Sequence, residues 1–454
     1  MKRLVAALLL LSISAGTVSC KEAEPAETSP SQVDLSAIFY SHGEEGYFSM
    51  LDEGYPVPVR DQGPPGACGA YACAAAIQRN ILYTSGDDFD VDPAELIVES
   101  VGVDKTEGVR LTAENYYATA NSGPVDIEWA MADGFGGYTL TAAPTFYGMN
   151  QEEITRETIQ HAIRTYGGVT AGLQISTPKI NGWHGGYYTV FDDGESLNHV
   201  VNIIGYDDNF PAENFGELVT SNGAWLVQNS FGEEWGNSGY FWASYESNII
   251  FFDAYQISDR YSEVISYAPG AEGSIYTGEE DTTVGSVYDH SGSIGGVGTY
   301  LGWHLEDNGH MMITSDPVSV TVEIRSEDFS EVLYRQDASF DMGGYYVVAF
   351  DTPVAVDGPF SVVVTYHDNN VVPVEGSSES AYNAQMEYIT SCETGDSFFL
   401  YDGQWLDMAD TATSELMITA MAEAGILPYD LDSPEAQAAM NEPGTDPYIN
   451  VLFV

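Results

Sequence analysis

The stretch from Cys68 to Leu82 is alanine-rich and apolar on nearly every face until Gln78. A helix that is apolar all round has no face to offer water, so other elements must wrap it. The segment therefore predicts a buried helix at the centre of a sizeable domain. What precedes it is equally restrictive. Pro58-Val59-Arg60-Asp61-Gln62-Gly63-Pro64-Pro65-Gly66-Ala67 is rich in the two residues that punctuate regular structure. The chain thus enters a core helix straight from a tight loop, and Cys68 stands at the junction.

From about residue 36 to 258 helix and strand patterns are mixed. Asp92-Pro93-Ala94-Glu95 offers an N-cap, a proline at the first helical position and a carboxylate close behind. Asn150 with Glu153 repeats the capping logic. Ile154, Ile159, Ala162, Ile163 and Tyr166 then form an apolar stripe, stopped by Gly167-Gly168. Strand-like runs follow at 169–175, 199–206 and 225–228. After about residue 259 helical periodicity fades. Alternating runs such as Val318 to Ile324 and Ser361 to Tyr366 replace it, separated by turns such as Asp341-Met342-Gly343-Gly344. That texture predicts an antiparallel β sandwich. The 454 residues are accordingly read as an α+β domain over 36–258 followed by an all-β domain over 259–426. Residues 427–454, with their prolines and acids, are expected to be an exposed acidic C-terminal extension.

The N-terminus reads as a targeting segment. Lys2 and Arg3 supply a positive start, and the apolar run from Leu4 to Ile13 is too short to span a bilayer. The segment 1–20 ends in Thr17-Val18-Ser19-Cys20 and resembles a bacterial lipoprotein signal, in which Cys20 is lipidated after cleavage. The usual leucine of that signal is replaced by Thr17, and ordinary signal cleavage near Ser19 is the alternative. Residues 21–35 are polar and contain proline, which suits a flexible tether.

Thirteen Lys and Arg stand against 69 Asp and Glu, a formal charge of −56. So few cations cannot displace phosphate counterions, which excludes nucleic acid as a partner. The charge equally disfavours an anionic lipid surface, so contact with a membrane is expected only through the lipid anchor. Four cysteines are too few to staple an exported chain of this size, and stability must come from packing.

Chemistry concentrates in three places. A thiol at a helix start lies among unpaired N–H groups and at the positive end of the helix dipole. Both favour the thiolate, the form that attacks carbonyls. Cys68 has that position, whereas Cys73 sits inside the helix and is read as core filler. His199 opens the apolar run His199-Val200-Val201-Asn202-Ile203-Ile204-Gly205-Tyr206, at the mouth of a buried strand. His161 and His367 have no such setting and are read as structural. Asn229 ends the strand Trp225-Leu226-Val227-Gln228. An amide there can orient an imidazole and fix its tautomer without adding charge.

Taken together, the segments 55–75, 196–208 and 223–245 resemble the papain family of cysteine peptidases, in the order Cys, His, Asn and with 131 residues from Cys68 to His199. The resemblance implies a two-layer α+β peptidase fold with the cleft between the layers. It implies Cys68 as nucleophile, His199 as proton partner and Asn229 as the orienting amide. The oxyanion would be held by the Gln62 side chain and the Cys68 backbone N–H. Gly66, Asn198 and Trp235 are expected to line the cleft, and Trp235 with Phe231 to shield the imidazole–amide bond. The thirty residues from His199 to Asn229 are more than the family usually has, which suggests a loop insertion at 207–222.

Three departures stand out. The cysteine usual three residues before the nucleophile is Pro65, the aromatic usual after it is Gly69, and the Trp usual after Asn-Ser is Phe231. They point to a bacterial branch that often carries a C-terminal lectin-like β domain, which residues 259–426, with Gly395 to Asp407, resemble. The expected partners are a peptide or protein substrate and a possible carbohydrate or surface ligand of the β domain. No metal or organic cofactor is expected. The same triad would also serve an acyltransferase or deamidase, and a noncatalytic surface adhesin acting through the β domain is the remaining alternative.

Overall fold

The computed structural model describes residues 46–63, 68–93, 136–146, 154–175, 180–194, 197–267, 271–276, 281–305, 311–368, 371–375, 392–423, 437, 446–447 and 449–454. Contacts divide these into two compact units. One comprises the described residues up to 93 and from 154 to 257, and the other those of 136–146 and from 258 onward.

The first unit sets a central helix, α1 (Cys68–Ser85), against an eight-stranded sheet. Every α1 residue from Cys68 to Ile81 except Tyr71 is buried, as its all-round apolar face requires. Burial extends past the alanines to Gln78, Arg79 and Asn80, where the sequence pattern had stopped predicting it. These polar side chains are tie points. Gln78 accepts a hydrogen bond from Arg60 Nη2 at 2.9 Å. Asn80 Nδ2 donates to the Tyr166 carbonyl at 2.9 Å, and its Oδ1 accepts from the Ile257 N–H at 2.8 Å. Arg79 Nε donates to the Tyr55 carbonyl at 3.2 Å and Nη2 donates to Gln228 Oε1. Desolvation pushes this fully buried guanidinium down to about 10. Cys73 is a buried free thiol with its sulfur 3.2 Å from Tyr255 OH.

The sheet contains β1 (Tyr47–Ser49), β3 (Val169–Leu173), β4 (Ile180–His184), β5 (Tyr187–Phe191), β6 (His199–Asp207), β7 (Ala224–Gln228), β8 (Tyr240–Ser244) and β9 (Ile250–Phe251); the strand β2 (Thr139–Pro144) belongs to the other unit. The order is β4-β5-β8-β7-β6-β3-β9, with β1 also pairing β6, and only β5–β8 is parallel. Helix α2 (Arg156–Tyr166) is closed by Gly167 in the left-handed region at φ 91°. Its N-cap is Thr155, whose Oγ1 accepts from the Thr158 N–H at 3.2 Å. The expected capping pair, Asn150 and Glu153, lies outside the described residues, as do Ala94 and Glu95. Between β6 and β7 the extra residues form a 3-10 segment, Ala212–Leu218. The end of this excursion is fastened by Glu246, whose carboxylate accepts from the hydroxyls of Thr220 at 2.9 Å and Ser221 at 2.6 Å and from both backbone N–H groups. Those donors, Ser221 first, pull its carboxyl down to about 2.

The second unit is built on antiparallel pairing. Its axis is the long ladder between β11 (Thr282–Leu301) and β14 (Gly344–Tyr366), with β10 (Glu263–Ile265), β12 (Val318–Ser326), β13 (Val332–Phe340), β15 (Ser397–Tyr401) and β16 (Gln404–Asp407) around it. Alternation places Val320, Val322, Ile324, Val362 and Val364 in one core. Two features depart from the sequence reading. First, β2 pairs with β14 through Pro144↔Gly344 to Ala142↔Tyr346, so a segment from within the expected run 36–258 falls with the β unit. Second, the tail is not all exposed extension. Residues Asn450–Phe453 form β17, a buried strand pairing both β10 and β11. The acids upstream hid a short apolar run, Ile449 to Val454, that behaves like any core strand.

Candidate active site

β6 and β7 are adjacent antiparallel strands, with Asn202 opposite Gln228. This register brings the first residue of β6, His199, to the residue that follows β7, Asn229. His199 Nε2 lies 2.6 Å from Asn229 Oδ1, and the ring N–H donates to the amide oxygen. Asn229 Oδ1 also accepts from the Ser230 N–H at 2.8 Å, while its own backbone N–H donates to the Gly239 carbonyl. The pair is removed from water: His199 is 1% exposed and Asn229 3%. Phe231 lies over the imidazole, with centroids 4.6 Å apart and planes inclined by 30°. Trp235 meets Phe231 edge-on at 5.5 Å and itself packs on Tyr188 and Phe241. Burial pushes the imidazole down to about 4, and the hydrogen bond to Asn229 opposes this only in part. A desolvated cation is costly, so the ring stays neutral unless an anion is placed beside it.

Gln62 is buried beside this pair. Its backbone N–H donates to the Ser230 carbonyl at 2.9 Å, and its Oε1 accepts from Ser230 Oγ at 2.6 Å. Holding the carbonyl end of the amide in this way commits the NH2 end to the opposite direction, as an oxyanion donor requires. Ser230 was not singled out from the sequence. Its place immediately after Asn229 was the available signal, because a residue there must turn back toward the loop bearing Gln62.

Cys68 is the first residue of α1 and is buried. Cys73 and Cys392 are buried free thiols. Asn198 Oδ1 accepts from the Ile175 N–H at 2.9 Å, tying the start of β6 to the end of β3. Gly66 and Cys20 lie outside the described residues. Among the described residues no group of three or more His, Cys, Asp or Glu side chains could hold a metal ion.

Residues 47–264 match the model of the papain family cysteine proteases, and residues 309–422 match that of the lectin like domain. Among curated proteins, cathepsin J of Mus musculus is 27% identical over 210 residues, 44% of this chain and 60% of the cathepsin. The chain thus spans about three fifths of that relative. Among solved structures, the clostridial cysteine protease Cwp84 after propeptide cleavage aligns with a TM-score of 0.63 at 18% identity, over 89% of this chain and 98% of the other. A structure of the cysteine protease and lectin-like domains of Cwp84, a surface layer associated protein of Clostridium difficile, aligns with a TM-score of 0.59 at 17% identity, over 97% and 93%. At such identities the structural likeness speaks to the fold: a papain-like domain followed by a lectin-like β domain. The buried imidazole–amide pair, the braced glutamine and the cysteine at the helix start all fall within 47–264, and this chain carries there a papain-family cysteine protease domain, with a lectin-like domain following it.

Proposed function

We propose that the chain is a cysteine endopeptidase acting through Cys68, His199 and Asn229, with Gln62 and the Cys68 N–H as oxyanion donors. The observation that carries this reading is the 2.6 Å bond between His199 and Asn229, buried under Phe231 and adjoining the braced Gln62. Cys68 gives its proton to His199, and the thiolate supplies the anion that the buried imidazolium needs. The sulfur attacks the peptide carbonyl and forms a C–S bond. The oxyanion is met by Gln62 Nε2 and the Cys68 N–H. Collapse expels the amine, which takes its proton from His199. Water, deprotonated by the same imidazole, then releases the acid and restores the thiol.

The substrates are peptides or proteins, and the lectin-like domain is a candidate site for a carbohydrate or surface ligand. Cwp84 is described as surface layer associated. By analogy this chain works at a bacterial cell surface, held there through lipidated Cys20. In a Cys20→Ser variant the protein should leave the membrane fraction, and identical fractionation of both forms would refute the anchor.

The test of the chemistry is a graded series, assayed on a peptide pool after thiol reduction, with thermal unfolding in parallel. Cys68→Ala and His199→Ala should abolish turnover. Gln62→Ala should lose roughly a hundred- to a thousandfold, and Asn229→Ala less than His199→Ala, since it only orients the ring. Activity in Cys68→Ala, or losses that follow melting temperature across the series, would overturn the assignment.

A further inference from the structure

Arg79 is fully buried, and its hydrogen-bond acceptors are neutral. Nε donates to the Tyr55 carbonyl at 3.2 Å and Nη2 to Gln228 Oε1, while Nη1 is buried with no partner among the described residues. Taking a cation out of water costs more than neutral acceptors return. An apolar side chain of similar volume would suit this position of α1 better on stability grounds alone. The guanidinium is therefore to be explained by what it holds.

Its two acceptors lie on the two segments that flank the site. Tyr55 opens the loop that ends at Gln62, and Gln228 ends β7, next to Asn229. Gln228 passes the restraint on. With Oε1 taken by the guanidinium, its NH2 end is committed to the opposite direction, where Nε2 donates to the Pro58 carbonyl at 3.2 Å. From Tyr55 to Arg60 the loop contains neither helix nor strand, and Pro56 and Pro58 have no N–H to offer. Its carbonyls are its main handles. One cation governs two of them, Tyr55 directly and Pro58 through Gln228. Further on, the loop is fastened at the site itself: the Gly232 N–H donates to the Arg60 carbonyl at 3.2 Å, and the Gln62 N–H to the Ser230 carbonyl at 2.9 Å.

We propose that Arg79 is a positioning residue for the oxyanion donor Gln62, acting on the loop through the Tyr55 carbonyl and, by way of Gln228, through the Pro58 carbonyl. The residue type fits the task. A planar guanidinium reaches two acceptors on different segments in fixed geometry, which an ammonium on a flexible stem does not. Its bonds are charge-assisted and so stronger than those between neutral groups. An oxyanion donor contributes only as charge develops on the carbonyl oxygen, so a loosened loop lowers kcat and leaves KM in place. This inference rests on the reading of Gln62 as an oxyanion donor.

Gln228→Glu is the deciding variant. It is nearly isosteric and puts a carboxylate against the buried cation, but it replaces the donor at Pro58 by an acceptor. Its kcat should fall about tenfold, less than in Gln62→Ala, with KM unchanged. Arg79→Lys, which keeps the charge and loses the fork, should lose turnover to a similar extent. In a Gln62→Ala background neither substitution should cost further turnover. Unchanged kcat in Gln228→Glu, or equal losses in both backgrounds, would make Arg79 a fold residue only and overturn the proposal. Should neither variant fold, a crystal structure of the unsubstituted protein decides. Arg79 bonded to the Tyr55 carbonyl and Gln228, with Gln228 on the Pro58 carbonyl, is the expected result. A guanidinium paired with a carboxylate instead, or a Pro58 carbonyl that Gln228 does not reach, overturns the proposal. Full turnover in Gln62→Ala would sink the oxyanion reading and this proposal with it, and that result is read separately from any outcome at Arg79 or Gln228.

Discussion

His199 offers a direct test of the electrostatics. The imidazole is 1% exposed in the unsubstituted protein, and Cys68→Ala deletes the only anion assigned to it. Desolvation then holds it at about 4 instead of the ordinary 6.5. In the unfolded chain the same ring protonates near 6.5, so below that pH the unfolded state takes up a proton that the folded state refuses. The group costs nothing above pH 6.5. Its penalty grows as pH falls and is complete below about 4, where it amounts to ~3 kcal/mol. Urea unfolding of Cys68→Ala and of Cys68→Ala/His199→Gln between pH 4 and 7.5 isolates the contribution of the imidazole, since every other titratable group is common to both. The stability of the first should fall relative to the second by that amount on going from pH 7 to 4. The His199 Hε1 resonance should hold its neutral position to well below pH 6. Parallel stability curves for the two proteins, or a resonance titrating near 6.5, would refute the argument that burial dominates at this ring.

Three further outcomes are expected. Ser230→Ala removes the hydroxyl that braces Gln62 Oε1, so kcat should fall on the order of tenfold with little change in KM, and by less than in Gln62→Ala; combining the two should cost no more than Gln62→Ala alone. An alkylating active-site probe should label Cys68 in the unsubstituted protein and should fail to label it in His199→Ala, while Cys73 and Cys392, both buried, should stay unlabelled in either. Glu246→Gln should speed hydrogen exchange at the Thr220 and Ser221 amides without altering kcat. With the Glu246 carboxyl held at about 2, protection of those amides in the unsubstituted protein should be flat from pH 4 to 8.

How much could be read in advance depended on how local each determinant is. Cys68, His199 and Asn229 were legible because each sits at the end of a run whose own pattern fixes helix or strand, and the polar residue at such an end has few places to point. Ser230 was not, because it matters through a side chain 168 residues away in sequence. Burial of Arg79 was equally hidden, because its acceptors are the Tyr55 carbonyl and Gln228, contributed by a loop and a strand that no helical periodicity reports. In the β unit, alternation announced β12 and the end of β14. The strand β2 has only a short Thr-Leu-Thr-Ala-Ala-Pro run and lies in the middle of another domain's pattern. β17 was masked by acidic neighbours that set the composition of the window without setting the fate of its last residues.

The pairing of β2 with β14 also bears on synthesis. Ala142 to Pro144 leave the ribosome some 200 residues ahead of their partners Gly344 to Tyr346. At ~5–20 residues per second this strand waits roughly 10–40 s with its backbone donors and acceptors unmatched. Throughout that interval the rest of the protease domain, up to residue 257, is emerging and able to collapse. Vectorial folding therefore has to proceed around an open strand, and a chaperone or a slow translation step acting in this window would change the yield of both units together. A gene fragment stopped at residue 257 would leave the strand waiting permanently.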